Sequence, residues 1–141
     1  MNLQLVTLDG TKFKEDAYSI ILPTMGGEIT VLPGHEPLLT ALTTGVITIR
    51  KNAADPDYHL EHYATYGGLA EVGHEGVKVL VDEATHGDEI NEAEAQKARN
   101  EAQAMLASAT TQVDIEHAQA LIDRHATRLQ VANLRRRHQK R

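Results

Sequence analysis

Two hydrophobic periods in one chain predict a two-part fold, a small antiparallel β-sandwich or barrel over residues 1–86 and an αα-hairpin over residues 87–141. Glycine or proline interrupts the first part at short intervals, from Gly10 through Pro23, Pro33-Gly34, Gly45, Pro56 and Gly67-Gly68 to Gly76. Past Gly87, eleven of the remaining 54 residues are alanine, and glycine and proline are absent. Charge divides at the same place: five basic and twelve acidic side chains over residues 1–87, nine and eight over residues 88–141.

Within the first part, Leu3 and Leu5 alternate with Gln4, and residues 19–22 form a short apolar strand running into Pro23. Residues 28–31 make another that stops at the turn signal Pro33-Gly34. Val46, Ile47, Thr48 and Ile49 are β-branched and follow Gly45, while Val77, Val79 and Val81 alternate with Lys78, Leu80 and Asp82. In the second part, Asn91 with Glu94 fits a capping box. Ala95, Ala98, Ala102, Met105 and Ala109 then recur at helical spacing. The pattern weakens over residues 108–112, and Asp114 can cap a second helix with the stripe Ile115, Ala118, Ile122, His125, Leu129 and Ala132. Ten apolar side chains larger than alanine are few for 54 residues, so the hairpin is expected to lean on the β-part or on a partner.

Composition narrows the function. With 41% hydrophobic and 24% charged residues the chain reads as globular, and no run approaches the ~18 apolar residues of a membrane span. The first residues lack the basic and apolar regions of a secretory leader, so a soluble intracellular protein is expected. Without cysteine there is no disulfide, thiol nucleophile or zinc–cysteine site. A net charge of −6 argues against a nucleic-acid binder, and no aromatic residue lies in 88–141 to stack on bases.

The chemistry-bearing residues do not assemble into a catalytic set. His59 and His62 are three apart, which on a strand places them on opposite faces, and His35, His74 and His86 lie beside glycines in expected turns. Gly26-Gly27 and Gly67-Gly68 match no phosphate loop and suit bulges or corners. Neither Ser19 nor Ser108 sits in a nucleophile motif, and the pairs Asp55/Asp57 and Asp82/Glu83 read as solvated charge. No metal or cofactor is expected. From Arg124 to the end there are seven bases and no acid, including Arg135, Arg136, Arg137, Lys140 and Arg141. Such a block suits either a helix end complementing its dipole or an acidic protein partner.

The segment GEITVLPGHEPLLTAL at residues 27–42, followed by Thr44-Gly45-Val46 and by YGGLAEV at residues 66–72, resembles the epsilon subunit of bacterial F-type ATP synthases. The resemblance covers the whole chain. It implies a sandwich of about ten antiparallel strands and a non-catalytic subunit of the rotor of a proton-translocating enzyme. That subunit would sit peripherally at the cytoplasmic face of the bacterial cell membrane, touching it only through the c ring. Glu28 would face the c ring, and Gly34, His35, Glu36, Pro37 and Leu38 would lie against the gamma subunit, stiffened by Pro33 and Pro37. The hairpin would either fold on the sandwich or extend into the catalytic head and suppress ATP hydrolysis. Extended, Arg124, Arg128, Arg135, Arg136 and Arg137 would meet an acidic segment of the beta subunit, with the alpha subunit beside it. Some family members bind ATP through an [IL]-D-x-x-R-A pattern. This chain reads Ile90-Asn91-Glu92-Ala93-Glu94-Ala95, so Asn91 and Glu94 replace the acid and the base, and weak or no ATP binding is expected. The competing reading from the residues alone is a small β-barrel that binds a ligand or metal through its histidines and carries an accessory hairpin.

Overall fold

A computed structural model describes the backbone of residues 1–139 and side chains as far as His138, so Lys140 and Arg141 of the basic block lie outside the described residues. Eight strands come first: β1 (Asn2–Thr7), β2 (Gly10–Asp16), β3 (Ser19–Thr24), β4 (Gly27–Val31), β5 (Leu38–Arg50), β6 (Glu61–Val72), β7 (Gly76–Val81) and β8 (Ala84–His86). Helices α1 (Glu92–Ser108) and α2 (Gln112–Gln139) follow, and short 3₁₀ turns occupy Asp57–His59 and Gly87–Glu89.

The strands form one sheet in the order β2-β1-β7-β6-β5-β3-β4, with β8 also paired to β6. Two long strands fold that sheet over. β6 pairs with β8 through residues 63–65 and with β7 through residues 68–72. Its change of partner falls on Gly67 and Gly68, whose φ angles of +114° and +152° are open to glycine and strained for other residues. β5 pairs with β6 along nearly its whole length, and its later half pairs with β3. Each long strand thus serves both layers, and eight elements fill the about ten strand positions of a sandwich. Between the layers lies a single core that takes side chains from every strand, among them Leu3, Leu5, Phe13, Ile20, Leu22, Val31, Ile47, Ile49, Val79 and Ala84. One pairing, β1 with β7, is parallel, a direction that alternation of side chains cannot report.

β3 does not end before Pro23 as its composition suggests. It continues to Thr24, and the register to β5 shifts between Ile21 and Thr24, where the proline has no N–H to give the ladder. Nor does β5 begin after Gly45. The strand runs through it, and the glycine is needed because a Cβ there would stand 2.6 Å from Cβ of Pro23.

The hairpin forms as its alanines predict, with differences at the caps and on the faces. Asn91 Oδ1 accepts from Glu94 N at 3.1 Å, starting α1. Thr111, not Asp114, caps α2: its Oγ1 accepts from Asp114 N at 3.1 Å, and Asp114 occupies the first turn. On α1, Ala95 and Ala102 are buried, but Met105 points to solvent and Leu106 is half-buried in its place. On α2, Ala118 and Ala132 are buried and Ile115 is exposed. A second buried face carries Thr127 and Val131, which the single-stripe reading missed.

That second face meets the sheet. Val46 of β5 and Ala64 of β6 are register partners pointing away from the sandwich core. They pack with Ile90, Ala95, Val131 and Ala132, flanked by Tyr66, Leu129 and Leu134. This cluster is separate from the sandwich core, so the arm has its own small apolar anchor.

Candidate functional site

Three surfaces stand out, and the first and third carry the residues singled out from sequence. The first surrounds β4, an edge strand paired only to β3. Glu28 is exposed near its start, opposite Pro23. Beyond its end, His35 N donates to Leu32 O at 3.1 Å, closing a turn with Pro33 second and Gly34 third at φ +86°, the signature of a type II turn. His35 is half-buried, with Nδ1 2.7 Å from the Glu36 carbonyl, while Glu36, Pro37 and Leu38 are exposed. The structure therefore gathers Gly34 to Leu38 into one rigid loop. It leaves Glu28 apart, near the opposite end of a five-residue strand.

The second surface was not foreseen. On the outer face of the sheet, register aligns Val6 with Leu80, Leu80 with Leu69, and Leu69 with Ala41. Leu69 and Leu80 are 48% and 45% exposed, and Leu39, two residues from Ala41 on the same face, is 69% exposed. Apolar side chains thus run across four strands where polar ones belong. The signal was present: Leu80 breaks the polar positions of the alternation between Val77 and Val81.

The third surface runs along α2, where Arg124 pairs across the seam to the sandwich and Arg135 and Arg136 pair with the start of the arm itself. Arg124 Nη2 lies 2.6 Å from Glu83 Oε2, and its guanidinium stands 4.0 Å from the Tyr66 ring centroid. Arg135 Nε contacts Asp88 Oδ1 at 2.9 Å, and its Nη1 donates to Gly87 O at 3.2 Å. Arg136 Nη1 meets Glu92 Oε1 at 3.0 Å. Arg128 is half-buried and Arg137 exposed. Between Arg124 and Arg128, His125 is held below its ordinary value by burial and then by those two cations. One member of each acidic pair read as solvated also meets an arginine, Glu83 with Arg124, and Asp57 with Arg50 at 2.9 Å.

The histidines also sit differently from their sequence reading. His59 lies in a 3₁₀ turn rather than a strand, edge-on to Tyr58. His62 is on β6, beneath the end of α2. Among the described residues, no three histidines, cysteines or carboxylates converge to hold a metal ion. Also among them, no helix is long and apolar enough to cross a membrane.

A family model described as the ATP synthase delta/epsilon chain β-sandwich domain matches residues 1–87, and the long α-helix domain of the same chain matches residues 88–133. The chain belongs to the ATP synthase delta/epsilon chain family. Over 99% of its length it is 34% identical to an ATP synthase epsilon chain from Herpetosiphon aurantiacus, covering 98% of that protein. Over 86% it is 39% identical to the epsilon chain of Nostoc punctiforme, covering 84% of it. A chain in the Euglena gracilis mitochondrial ATP synthase structure of OSCP, F1 and c-ring superimposes with a TM-score of 0.79 at 25% identity, spanning 93% of this chain and 79% of that one. In this chain the two matches meet between residues 87 and 88, where the Gly87–Glu89 turn leads from β8 toward α1.

Proposed function

We propose that this epsilon-family chain is a non-catalytic central-stalk subunit of a membrane-associated, proton-translocating F-type ATP synthase. Residues 1–86 couple gamma to the c ring at the cytoplasmic face, and residues 87–141 brake ATP hydrolysis. The observation that carries the reading is the arm's separate apolar anchor, which lets it leave the sandwich without opening the main core. Likeness to a chain of an F1/c-ring assembly supports the stalk position. The loop from Gly34 to Leu38 and the row Val6–Leu80–Leu69–Ala41 serve gamma, and Glu28, near the other end of β4, serves the c ring.

While the arm is docked Arg124 is held by Glu83 of the sandwich, and while the hairpin is folded Arg135 and Arg136 are held by Asp88 and Glu92 at its own start. To reach an acidic segment of the beta or alpha subunits they exchange one carboxylate for another. Exposed pairs of this kind are worth about 0–1 kcal/mol each, so the exchange is close to neutral and reversible. α2, with 28 residues, extends about 42 Å, enough to reach a neighbouring subunit.

Deleting residues 88–141 should leave assembly with gamma and the c ring intact and raise ATP hydrolysis of the reconstituted complex. Unchanged hydrolysis would remove the braking role. Charge reversal at Arg135, Arg136 and Arg137 should raise it in part. Asn91 is occupied in capping α1 and Glu94 adds an acid beside it, so calorimetry of the isolated chain should find weak or no ATP binding. Micromolar affinity would contradict that.

A further inference from the structure

A pocket of about 280 Å³ opens between the sandwich and the end of α2, and three histidines on three different elements line it: His62 of β6, His86 of β8 and His138 of α2. We propose that this cluster is an acid-sensitive catch, in which protonation of His62 drives the arm off the sandwich. The proposal rests on the reading that the arm moves, and it adds the condition that moves it.

His62 points outward from the sheet, on the same face as Ala64 and Tyr66, which the helices cover. It is 8% exposed, and what lies over it is α2, with the His138 ring centred 5.3 Å away. Its Nδ1 is 3.0 Å from the Thr48 hydroxyl on β5, while Nε2 is buried without a partner. An imidazolium there would therefore carry a buried N–H with nothing to receive it.

The surrounding charges do not compensate. On the basic side stand His86, His138 and Arg135. Of the two carboxylates lining the pocket, Glu61 is engaged by Lys51 at 3.0 Å and by the Tyr63 hydroxyl at 3.2 Å, and Asp88 by Arg135 at 2.9 Å. What reach these acids have left is toward His86, at 3.9 Å from Glu61 and 3.4 Å from Asp88. On β5, Arg50 is held by Asp57 from the adjoining 3₁₀ turn, and from that same turn the pocket wall receives only the phenol of Tyr58. His86 ties the pocket to the start of the arm, since its Nδ1 accepts from Asp88 N at 3.2 Å and caps the turn that leads into it.

Burial first, then His138 and His86, lowers His62 from 6.5 to about 4 in the docked state. With α2 lifted, the ring returns to water and to its ordinary value. A base depressed in the docked state stabilises docking fully above pH 6.5, and that stabilisation drains away as pH falls toward 4. Between pH 7.5 and pH 5.0 the undocking constant should therefore rise roughly 30-fold.

The chain has no cysteine, so a single introduced thiol is a clean reporter. Thr127→Cys, at a site 8% exposed on the sheet-facing side of α2, is shielded from a thiol reagent while the arm is docked and fully open to it when the arm lifts. In the full-length chain, labelling corrected for thiol ionisation should rise roughly 30-fold from pH 7.5 to 5.0, and His62→Gln should flatten that rise to within about twofold. A flat parent profile, or an undiminished rise in His62→Gln, overturns the catch. Should that variant not fold, ring resonances of the parent decide: a His62 midpoint well below 6 supports the catch, and one at its ordinary value overturns it. Val131→Ala separates the two layers of inference by loosening the arm's anchor at pH 7.5. If it raises labelling at least tenfold while acid does nothing to the parent, the arm moves but the catch is wrong. If neither raises labelling, the moving arm falls as well.

Discussion

Gly68 shows how much a single position constrains. A Cβ there would collide with the carbonyl oxygen of Leu80 and stand 2.7 Å from Cγ1 of Val81, in a backbone conformation already unfavourable to side chains. Gly68→Ala should lower stability by about 2–3 kcal/mol, measured as a fall in the urea midpoint at unchanged slope. Gly10 is a contrast, since its φ is +129° but nothing lies within 4 Å of a Cβ. There the same substitution meets strain alone and should cost about 1 kcal/mol. Leu69 and Leu80 are exposed and outside the core, so Leu69→Glu with Leu80→Lys should shift stability by no more than about 0.5 kcal/mol. The same pair should abolish co-purification with gamma, and retained co-purification would detach the apolar row from that role.

Elements differ in how much they owe to local chemistry. Thr111 supplies the first-turn acceptor of α2, so Thr111→Ala should destabilise the arm by about 1 kcal/mol. Asp114→Ala loses only a charge near the helix start and should cost a few tenths, with both changes read from helical circular dichroism during thermal unfolding. Both helices were legible in the sequence because alanine content and spacing are local properties. β7 was legible because Val77, Val79 and Val81 alternate cleanly, while β2 was not, since Phe13 is its only buried side chain. β6 was hidden for another reason: it serves two layers, so its inward and outward residues trade roles across Gly67-Gly68. Of the candidate surfaces, the Gly34 turn could be read from Pro33-Gly34. The seam between Arg124 and Glu83 joins residues that only the docked fold brings together. His62 was illegible in the same way, because what covers it comes from the far end of the chain.

At the scale of the molecule, two apolar clusters of unequal size predict two separable transitions. Val131→Ala removes buried methyl groups from the smaller cluster and should weaken arm docking by about 2 kcal/mol while leaving the sandwich midpoint in place. Differential scanning calorimetry of the variant should show the lower transition moving alone, and a joint shift would mean that arm and body melt as one. The long strands β5 and β6 bear on how the body carries load. In a sandwich whose layers touch only through side chains, a twisting force on one face can slide it over the other. Here two unbroken backbones pass from the layer bearing the Leu69–Leu80 row to the layer beneath the arm. A torque applied to one face would reach the other along covalent bonds and ladder hydrogen bonds, leaving no plane on which the two layers could slip.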